Sequence, residues 1–327
     1  MPQAIQFAEF GGPEVLRLVD VPVGDPGPGQ VRVRHHASGL NFIDIYQRTG
    51  LYPNPLPMVP GGEGAGVVEA VGEGVTHLAA GDRVAYASPK PGSYSEARVL
   101  DATHVCRLPD EIGFDTAAAM MLKGLTVEYL LRRTLPVEGL APGDAILWHA
   151  AAGGVGLIAC QWAKALGFEL IGTAGSDEKC ALALEHGAAH AINYRREDFV
   201  ARVREITGGK GVKVVYDSVG KDTFDGSLNC LRPFGLLAIF GNASGAPAPF
   251  SPNLLAGKGS LYLTRPTLFT HLSSRERTQA MADELFQVVR DGRVKIRIDQ
   301  RYPLAEAAQA QRDLEARKTT GSSVLMI

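Results

Sequence analysis

Between residues 145 and 265 the chain alternates short apolar runs with segments whose apolar residues return every three or four positions. The apolar runs predict six strands, at 145–150, 168–173, 190–193, 212–217, 235–241 and 260–265. Each run is apolar along most of its length, which is typical of strands buried on both faces of a parallel sheet. Between the first two runs, Val155, Ile158, Ala159 and Trp162 lie on one face of a predicted helix. This region is therefore predicted to be an α/β fold with a doubly wound parallel sheet.

The first 120 residues show another pattern, in which short strand-like runs are broken by Gly and Pro. They predict a β-rich unit with strands at 4–7, 15–19, 31–37, 64–71, 83–87 and 95–100. The tail predicts a helix at 275–290, a strand at 294–298, a helix near 305–315 and a strand at 323–327. Because a seventh parallel strand would need another crossover, the tail strands are expected to return to the first domain. The predicted domains are 1–123 plus about 267–327, and 124–266.

Composition narrows the class of partner. The chain of 327 residues is 45% hydrophobic and 21% charged, with a net charge of -2, so no overall field would attract nucleic acid or an anionic membrane. The four cysteines show no C-x-x-C spacing, which argues against a disulfide framework and a structural zinc site. No leader-like segment opens the sequence, and no apolar run approaches the roughly 20 residues of a membrane span. A small-molecule partner and a reducing, cytoplasmic location are expected.

The end of the first predicted parallel strand carries the motif A-x-G-x-x-G. Gly153, Gly154 and Gly156 would let the backbone turn sharply and approach a pyrophosphate at the start of the next helix. By itself the motif fits a helix packed closely on a strand equally well. Its position between a predicted strand and a predicted helix favours a dinucleotide site.

The end of the second strand bears on which dinucleotide binds. An NAD-specific site usually has an acidic residue there, whereas this chain has Thr173, Ala174, Gly175 and Ser176. The Ser176 hydroxyl, the following helix N-terminus and Lys179 could bind a 2′-phosphate, which favours NADP. Alternatively, Ser176 is only a helix cap and Lys179 a solvated charge, and Asp177 and Glu178 place negative charge nearby. Small or polar residues at 217–220, 240–242 and 263–265 end later strands and point to the same crevice.

Several separated motifs resemble one family. The segments 41–46 (NFIDIY), 50–53 (GLYP), 123–126 (KGLT), 216–220 (YDSVG) and 264–266 (TRP) are similar to the zinc-independent quinone oxidoreductases related to zeta-crystallin, in the medium-chain dehydrogenase/reductase superfamily. The likeness covers the whole chain and is closest to the bacterial NADPH:quinone reductases. It implies a Rossmann domain, a GroES-like catalytic domain, NADPH as the cofactor and a quinone-like substrate.

The residues also bear on zinc. Zinc-dependent members of the superfamily have Cys and His at the positions of Asn41 and Gly62, so this chain lacks the two ligands that zinc prefers. His35 and His36 are adjacent in a strand and point to opposite faces, and His149 is expected to be a buried, hydrogen-bonded histidine. No metal is therefore predicted.

The resemblance implies roles for particular residues. Asn41, Tyr46 and Tyr52 are the predicted catalytic residues, with Asn41 and Tyr46 bordering the nicotinamide and Tyr52 able to donate its phenol hydrogen to the acceptor. Each tyrosine could instead be a packed aromatic, and Arg317 a solvated charge. The residues predicted to bind the cofactor are Asn41, Tyr46, Lys123, Thr126, Tyr129, Ala152, Gly153, Gly154, Val155, Gly175, Ser176, Lys179, Tyr194, Ser218, Phe240, Gly241, Asn242, Leu263, Thr264, Arg265 and Arg317.

Two other functions fit the same pattern. An NADPH-dependent reductase of activated C=C bonds in enones or alkenals would use the same fold and cofactor. A non-catalytic protein that binds NADPH or RNA is the third alternative, although the near-zero net charge counts against RNA. By family, a homodimer is expected, formed through the edge strand at 260–264.

Overall fold

The computed structural model describes residues 1–135 and 138–327. The chain forms two compact units, one of Met1–Leu125, His271–Arg290 and Ile296–Ile327, and the other of Thr126–Thr270 and Asp291–Lys295. They are called unit 1 and unit 2 below.

The strands, numbered along the chain, are β1 Gln3–Gln6, β2 Arg17–Asp20, β3 Gln30–Gly39, β4 Glu63–Val71, β5 Arg83–Ala87, β6 Ala97–Asp101, β7 Val105–Arg107, β8 Ala145–Trp148, β9 Glu169–Ala174, β10 His190–Asn193, β11 Val212–Asp217, β12 Leu231–Ile239, β13 Tyr262–Thr264, β14 Ile298–Pro303 and β15 Ser322–Met326. The helices are α1 Phe42–Arg48, α2 Phe114–Arg132, α3 Gly154–Ala165, α4 Asp177–Glu185, α5 Phe199–Ile206, α6 Phe224–Cys230, α7 Asn253–Gly257, α8 Leu268–His271, α9 Arg275–Arg290 and α10 Ala307–Glu315.

Unit 1 is built on a sheet with the order β14-β15-β3-β4-β5-β7, in which β6 also pairs with β3. The pairs from β15 through β7 are antiparallel, and β14 runs parallel to β15. Strand β15 joins β3 in the register Leu325 to Ser38, so the tail of the chain completes a sheet that its early residues begin. Along β3, burial alternates through His35, which is buried, and His36, which is exposed, as the opposite-face prediction requires.

Unit 2 contains six parallel strands in the order β10-β9-β8-β11-β12-β13. The chain moves outward from β8 to β10, then returns to the other side of β8 at β11. This confirms the predicted doubly wound sheet and places its topological switch point between β8 and β11. Helix α3 ends at Ala165, and Gly167 follows with φ +79°, the left-handed conformation expected after a helix.

One strand prediction was displaced at its start, and another was wrong. The predicted strand at 15–19 begins only at Arg17, because Pro13 starts a 3-10 turn in which the Val15 amide donates to the Gly12 carbonyl. The predicted strand at 294–298 is β14, which begins at Ile298. Val294 lies before the strand and is fully buried, and the backbone N–H of Lys295 donates to the Gln161 side chain.

The apolar core of unit 2 lies between the sheet and its helices and includes Leu147, Ile171, Val215 and Leu237. Unit 1 has two apolar clusters, one around Ile5, Phe7 and Leu325 and one around Val31, Val33 and Val84. No helix in the described ranges is long and apolar enough to cross a membrane.

Candidate active site

The glycine turn of unit 2 joins β8 to α3. Gly153 is the N-cap residue of α3, and Gly153, Gly154 and Val155 remain partly exposed at the carboxyl edge of the sheet. A Cβ on Gly156 would lie 2.4 Å from the Ala150 carbonyl oxygen and 2.5 Å from that of Ala151. The close packing of α3 on the turn is therefore observed, and it is compatible with a dinucleotide site, because the first N–H groups of a helix have no partner within the helix.

Buried hydrogen bonds fix the strand ends around this turn. His149 Nδ1 lies 2.8 Å from the Thr173 hydroxyl, and His149 Nε2 lies 3.0 Å from the Ser227 hydroxyl. Burial lowers the pKa of His149, partly offset by the charge of Asp217. The prediction of a buried, hydrogen-bonded histidine is confirmed. The network joins β9, α6 and the end of β8 at the switch point.

Asp217 organises the next strand end. Its Oδ1 accepts the N–H groups of Val219 and Gly220, at 2.8 and 3.0 Å, and its Oδ2 accepts the hydroxyls of Thr223 and Ser227. Because Ser227 donates to this carboxylate, the Asp–Ser–His order is that of a structural network and not of a nucleophile activated by histidine.

The predicted residues that follow β11, β12 and β13 lie at the same edge of the sheet as Asp217. A Cβ on Gly241 would lie 2.6 Å from the Ser218 carbonyl oxygen, and the Ala243 N–H donates to the same oxygen. The Phe240 ring packs 5.5 Å from that of Trp148. Leu263 and Thr264 end β13, after which Arg265 donates to the Ile239 carbonyl at 3.1 Å. The structure thus brings 218, 240–242 and 263–265 to one edge of the sheet, the edge of the glycine turn.

The second strand end collects hydroxyl and cationic groups. The Ser176 hydroxyl caps α4 by accepting the Lys179 N–H at 3.3 Å. A Cβ on Gly175 would lie 2.7 Å from the Tyr194 hydroxyl and 3.6 Å from Nε of Arg195. Tyr194 and Arg195 are exposed. Arg195 was missed by the sequence analysis, although its place directly after Tyr194 at the end of β10 was a usable signal.

The acidic residues at this strand end are occupied locally. Asp177 accepts the Asn193 amide at 2.7 Å and also pairs with Arg196, and these contacts lower its pKa, the Asn193 bond most. A hydrogen bond from Ser176 lowers the pKa of Glu178. Asp177 is thus paired with a cation, which reduces the repulsion that it would exert on a 2′-phosphate, whereas the charge of Glu178 remains.

In unit 1, a buried carboxylate gathers three donors. Glu63 Oε1 accepts the Asn41 side-chain amide at 2.8 Å and the Lys123 ammonium at 2.6 Å, while Oε2 accepts the Leu122 N–H at 2.7 Å. The side chains of Glu63 and Lys123 are 0% and 6% exposed. Asn41 and Lys123 were predicted site residues, whereas Glu63, which holds them together, was not.

Asp44 and two tyrosines flank this cluster. Asp44 Oδ2 accepts the Asn41 backbone N–H and the Tyr94 hydroxyl, both at 2.9 Å. Tyr46 and Tyr52 are half-buried, with ring centroids 5.3 Å apart in an edge-to-face arrangement. Asn41, Tyr46 and Tyr52 therefore lie in the same part of unit 1.

The remaining predicted residues lie elsewhere. Thr126 and Tyr129 are buried on α2, in the part of that helix after Leu125 that belongs to unit 2. Desolvation raises the pKa of Tyr129, and the charge of Arg265 lowers it. Arg317 is exposed just after α10 in unit 1, with φ +56°.

A zinc ion does not fit the residues of unit 1. The positions at which the family resemblance would put zinc ligands hold Asn41 and Gly62, and Lys123 brings an ammonium to Glu63 at 2.6 Å. Within residues 1–135 and 138–327, no three His, Cys, Asp or Glu side chains are grouped to hold a metal. The cluster offers hydrogen-bond donors in place of a Lewis acid.

Comparisons with known proteins match both halves of the chain. Residues 27–134 match the alcohol dehydrogenase GroES-like domain, and residues 154–287 match the zinc-binding dehydrogenase model. A quinone oxidoreductase of Pseudomonas aeruginosa is 57% identical over 327 residues, all of both chains. The crystal structure of the Escherichia coli quinone oxidoreductase complexed with NADPH is 50% identical, with a TM-score of 0.97 over 99% of this chain and 100% of that one. A 2-haloacrylate reductase of Burkholderia is 45% identical over 100% of this chain and 99% of its own length.

The fold and the two matched domains define a medium-chain dehydrogenase/reductase, with a GroES-like domain and a Rossmann domain. Within that superfamily, the chain belongs to the zinc-independent quinone oxidoreductase family.

Proposed function

We propose that this protein catalyses the NADPH-dependent reduction of quinones without zinc. The observation that carries the proposal is the buried Asn41–Glu63–Lys123 cluster, which brings an amide donor and an ammonium donor together on one carboxylate. Quinones need no Lewis acid, because they accept electrons readily and the oxyanion that forms needs only hydrogen-bond donors and a proton.

Unit 2 has the features of an NADPH site. The first N–H groups of α3 suit a pyrophosphate, and Gly156 provides the cradle that a Cβ would fill. Ser176, Lys179 and Tyr194 are the proposed 2′-phosphate residues, to which we add Arg195 because its Nε, like the Tyr194 hydroxyl, lies close to Gly175. When bound, NADPH supplies the hydride.

Unit 1 supplies the groups proposed to act on the acceptor. Glu63 holds the Asn41 amide and the Lys123 ammonium by charge-assisted hydrogen bonds, so neither donor has to reorient when charge develops on the substrate. Tyr46 and Tyr52 offer aromatic surface and phenol donors to a planar acceptor. Quinone oxidoreductases that are 57% and 50% identical over the full length support this substrate class.

Reduction of activated C=C bonds is the second candidate. The 45% identity to a 2-haloacrylate reductase favours it, because that protein matches this chain over its full length. A conjugated alkene would need the same hydride donor and the same stabilisation of an oxyanion. The same groups of the site would therefore serve either substrate. The net charge of -2 gives no support for RNA binding.

The assembly and location are also proposed. Strand β13 is the last strand of the unit 2 sheet, and Tyr262 on it is 42% exposed, which suits pairing with β13 of a second copy. Four buried cysteines with free thiols suit a reducing compartment such as the cytoplasm. Analytical ultracentrifugation tests the homodimer, which a sedimentation mass of one chain would contradict.

A steady-state screen tests the reaction. NADPH and NADH are each combined with 1,4-benzoquinone, a 2-alkenal, a 2-haloacrylate and a simple aldehyde. We expect benzoquinone with NADPH to give the highest kcat/KM and the aldehyde to give no turnover. If the alkenal or the haloacrylate has a higher kcat/KM than benzoquinone, the second candidate replaces the first.

A further inference from the structure

Helices α1 and α10 of unit 1 enclose a group of buried polar atoms that the proposed function does not use. Asp44, Gln47 and Arg48 are buried on α1, and Gln311 is buried on α10. Six of their atoms have no hydrogen-bond partner among the described residues: Asp44 Oδ1, Gln47 Oε1, Arg48 Nε and Nη1, and Gln311 Nε2 and Oε1. Buried polar atoms in native proteins nearly always have hydrogen-bond partners, so a group of six without one indicates a bound polar ligand.

Helices α1 and α10, which carry the six atoms, contact each other. On α1, Gln47 and Arg48 lie three and four residues after Asp44 and therefore share a helix face with it, as Gln311 and Glu315 do on α10. The two helices are joined where Arg48 Nη2 donates to Glu315 Oε1 at 2.7 Å. Tyr94 donates to Asp44, and burial raises the pKa of Tyr94, although the nearby Gln311 side chain acts to lower it.

The charges and the balance of donors select the ligand. An anion would face Asp44 and Glu315, and a cation would face Arg48. The unsatisfied atoms include both donors, on Arg48 and Gln311, and acceptors, on Asp44, Gln47 and Gln311. Water both donates and accepts, carries no charge and typically makes about three hydrogen bonds when buried.

We propose that α1 and α10 form a hydration site, in which ordered water molecules link the Asp44 carboxyl to the Arg48–Glu315 pair and allow Asp44 to exchange protons with solvent. Glu315 provides the outlet, because its side chain is 33% exposed while that of Arg48 is fully buried. The inference goes beyond the proposed reaction. It gives Asp44 a positioning role, because Asp44 accepts the N–H of Asn41 at the start of α1.

The ionisation of Asp44 supports this role. Burial raises its pKa to about 7, although the bonds from Asn41 and Tyr94 and the charge of Lys123 act to lower it and Glu63 raises it. Arg48, on the same face of α1, and Glu315, on α10, are further charged groups at the site. Asp44 can therefore take up and release a proton near neutral pH.

The first test is a crystal structure of the wild-type protein at a resolution that shows ordered water. We expect water within about 3.2 Å of Arg48 Nε or Nη1 and of Asp44 Oδ1. Direct contacts that satisfy all these atoms without water, or density for a larger molecule, would overturn the proposal.

The second test follows the Asp44 proton by infrared difference spectroscopy. The carbonyl stretch of the protonated carboxyl is identified by its loss in Asp44→Asn, and 13C-labelled aspartate in the wild-type chain identifies it even if that variant does not fold. Gln311→Met should displace the water and raise the apparent pKa of Asp44 by at least one unit, a tenfold change in the protonation equilibrium. Gln309→Met, the same change on the exposed face of α10, should leave the titration unchanged. Equal titration in wild type and Gln311→Met would overturn the proposal.

Stability gives an independent readout of the same proton. Because the pKa of Asp44 is raised to about 7 in the folded state from 3.8, the folded chain retains a proton between those pH values that the unfolded chain releases. The contribution of Asp44 to stability is therefore present below about pH 4 and is lost as the pH rises towards 7. The difference in unfolding free energy between wild type and Asp44→Asn, measured in urea, should follow this trend, and a difference that is constant across the window would contradict it.

Discussion

The candidate site groups of the two units differ in kind, because those of unit 2 are backbone N–H groups and those of unit 1 are side chains. In unit 2 the turn around Gly156 presents backbone N–H groups, and its shape depends on the lack of a Cβ. In unit 1 the groups are charged side chains, Glu63 and Lys123, buried together with Asn41. A backbone site is fixed by the fold and tolerates no added atoms, whereas a buried ion pair depends on each partner's being present. The comparison predicts that the first site fails through steric overlap and the second through unpaired charge.

The largest effect is expected at the glycine turn. Gly156→Val would place a side chain within 2.4 Å of the Ala150 carbonyl oxygen, so the turn or α3 must shift. We expect NADPH affinity to fall at least 100-fold, about 2.7 kcal/mol, as measured by quenching of tryptophan fluorescence. Gly257→Val is the control, because no atom lies within 4 Å of the Cβ position at Gly257. Equal NADPH affinity in both variants would refute the role of the turn.

The second effect concerns the buried ion pair. Lys123→Met leaves Glu63 charged and buried, which should cost about 3–5 kcal/mol of unfolding free energy in urea denaturation. Adding Glu63→Gln should recover much of that loss, because the uncompensated charge is removed. Arg290→Met breaks the exposed Arg290–Glu111 pair and should cost at most about 1 kcal/mol. A loss as small in Lys123→Met would show that the buried pair does not stabilise unit 1.

A smaller effect is expected on cofactor preference. Arg195→Ala and Lys179→Ala should each lower the NADPH/NADH ratio of kcat/KM by about tenfold, or 1.4 kcal/mol, because each removes a cation from the proposed 2′-phosphate site. Lys258→Ala is the control, since Lys258 bonds the Asn229 side chain before the starts of β12 and β13, at the opposite edge of the sheet. An unchanged ratio in Lys179→Ala or in Arg195→Ala would remove that residue from the assignment.

The smallest effect is expected for the tyrosines. Tyr46→Phe and Tyr52→Phe should each lower benzoquinone turnover about fivefold, the value of one neutral hydrogen bond of about 1 kcal/mol, while NADPH still binds. Stopped-flow measurement of NADPH oxidation separates the two quantities. Unchanged turnover in both variants would leave positioning as the only role of this aromatic pair.

The same contrast explains what the sequence could predict. Parallel strands and a Gly-rich turn leave local signals, so the sheet of unit 2 and the edge that carries Gly156, Ser218 and Gly241 were predictable. The Glu63 cluster joins residues from β4, α1 and α2, and only their three-dimensional arrangement shows that one carboxylate holds Asn41 and Lys123. The motifs that resemble the family identified Asn41 and Lys123 as site residues but gave no reason for their proximity.

Arg195 and β14 illustrate two further limits. Arg195 follows a predicted strand end, but the sequence could not show that its guanidinium turns towards Gly175. The tail was misread because Val294 is apolar for packing and does not begin a strand. In both cases the residue type could be read from the sequence, but its contacts depended on the surrounding structure.

The most direct test of the account is the ratio of kcat/KM for NADPH and NADH with 1,4-benzoquinone as the acceptor and the wild-type protein as the enzyme. We predict a ratio of at least tenfold in favour of NADPH, because hydroxyl and cationic groups surround Gly175 and none of the residues 173–176 is acidic. A ratio near one, or a preference for NADH, would contradict the account.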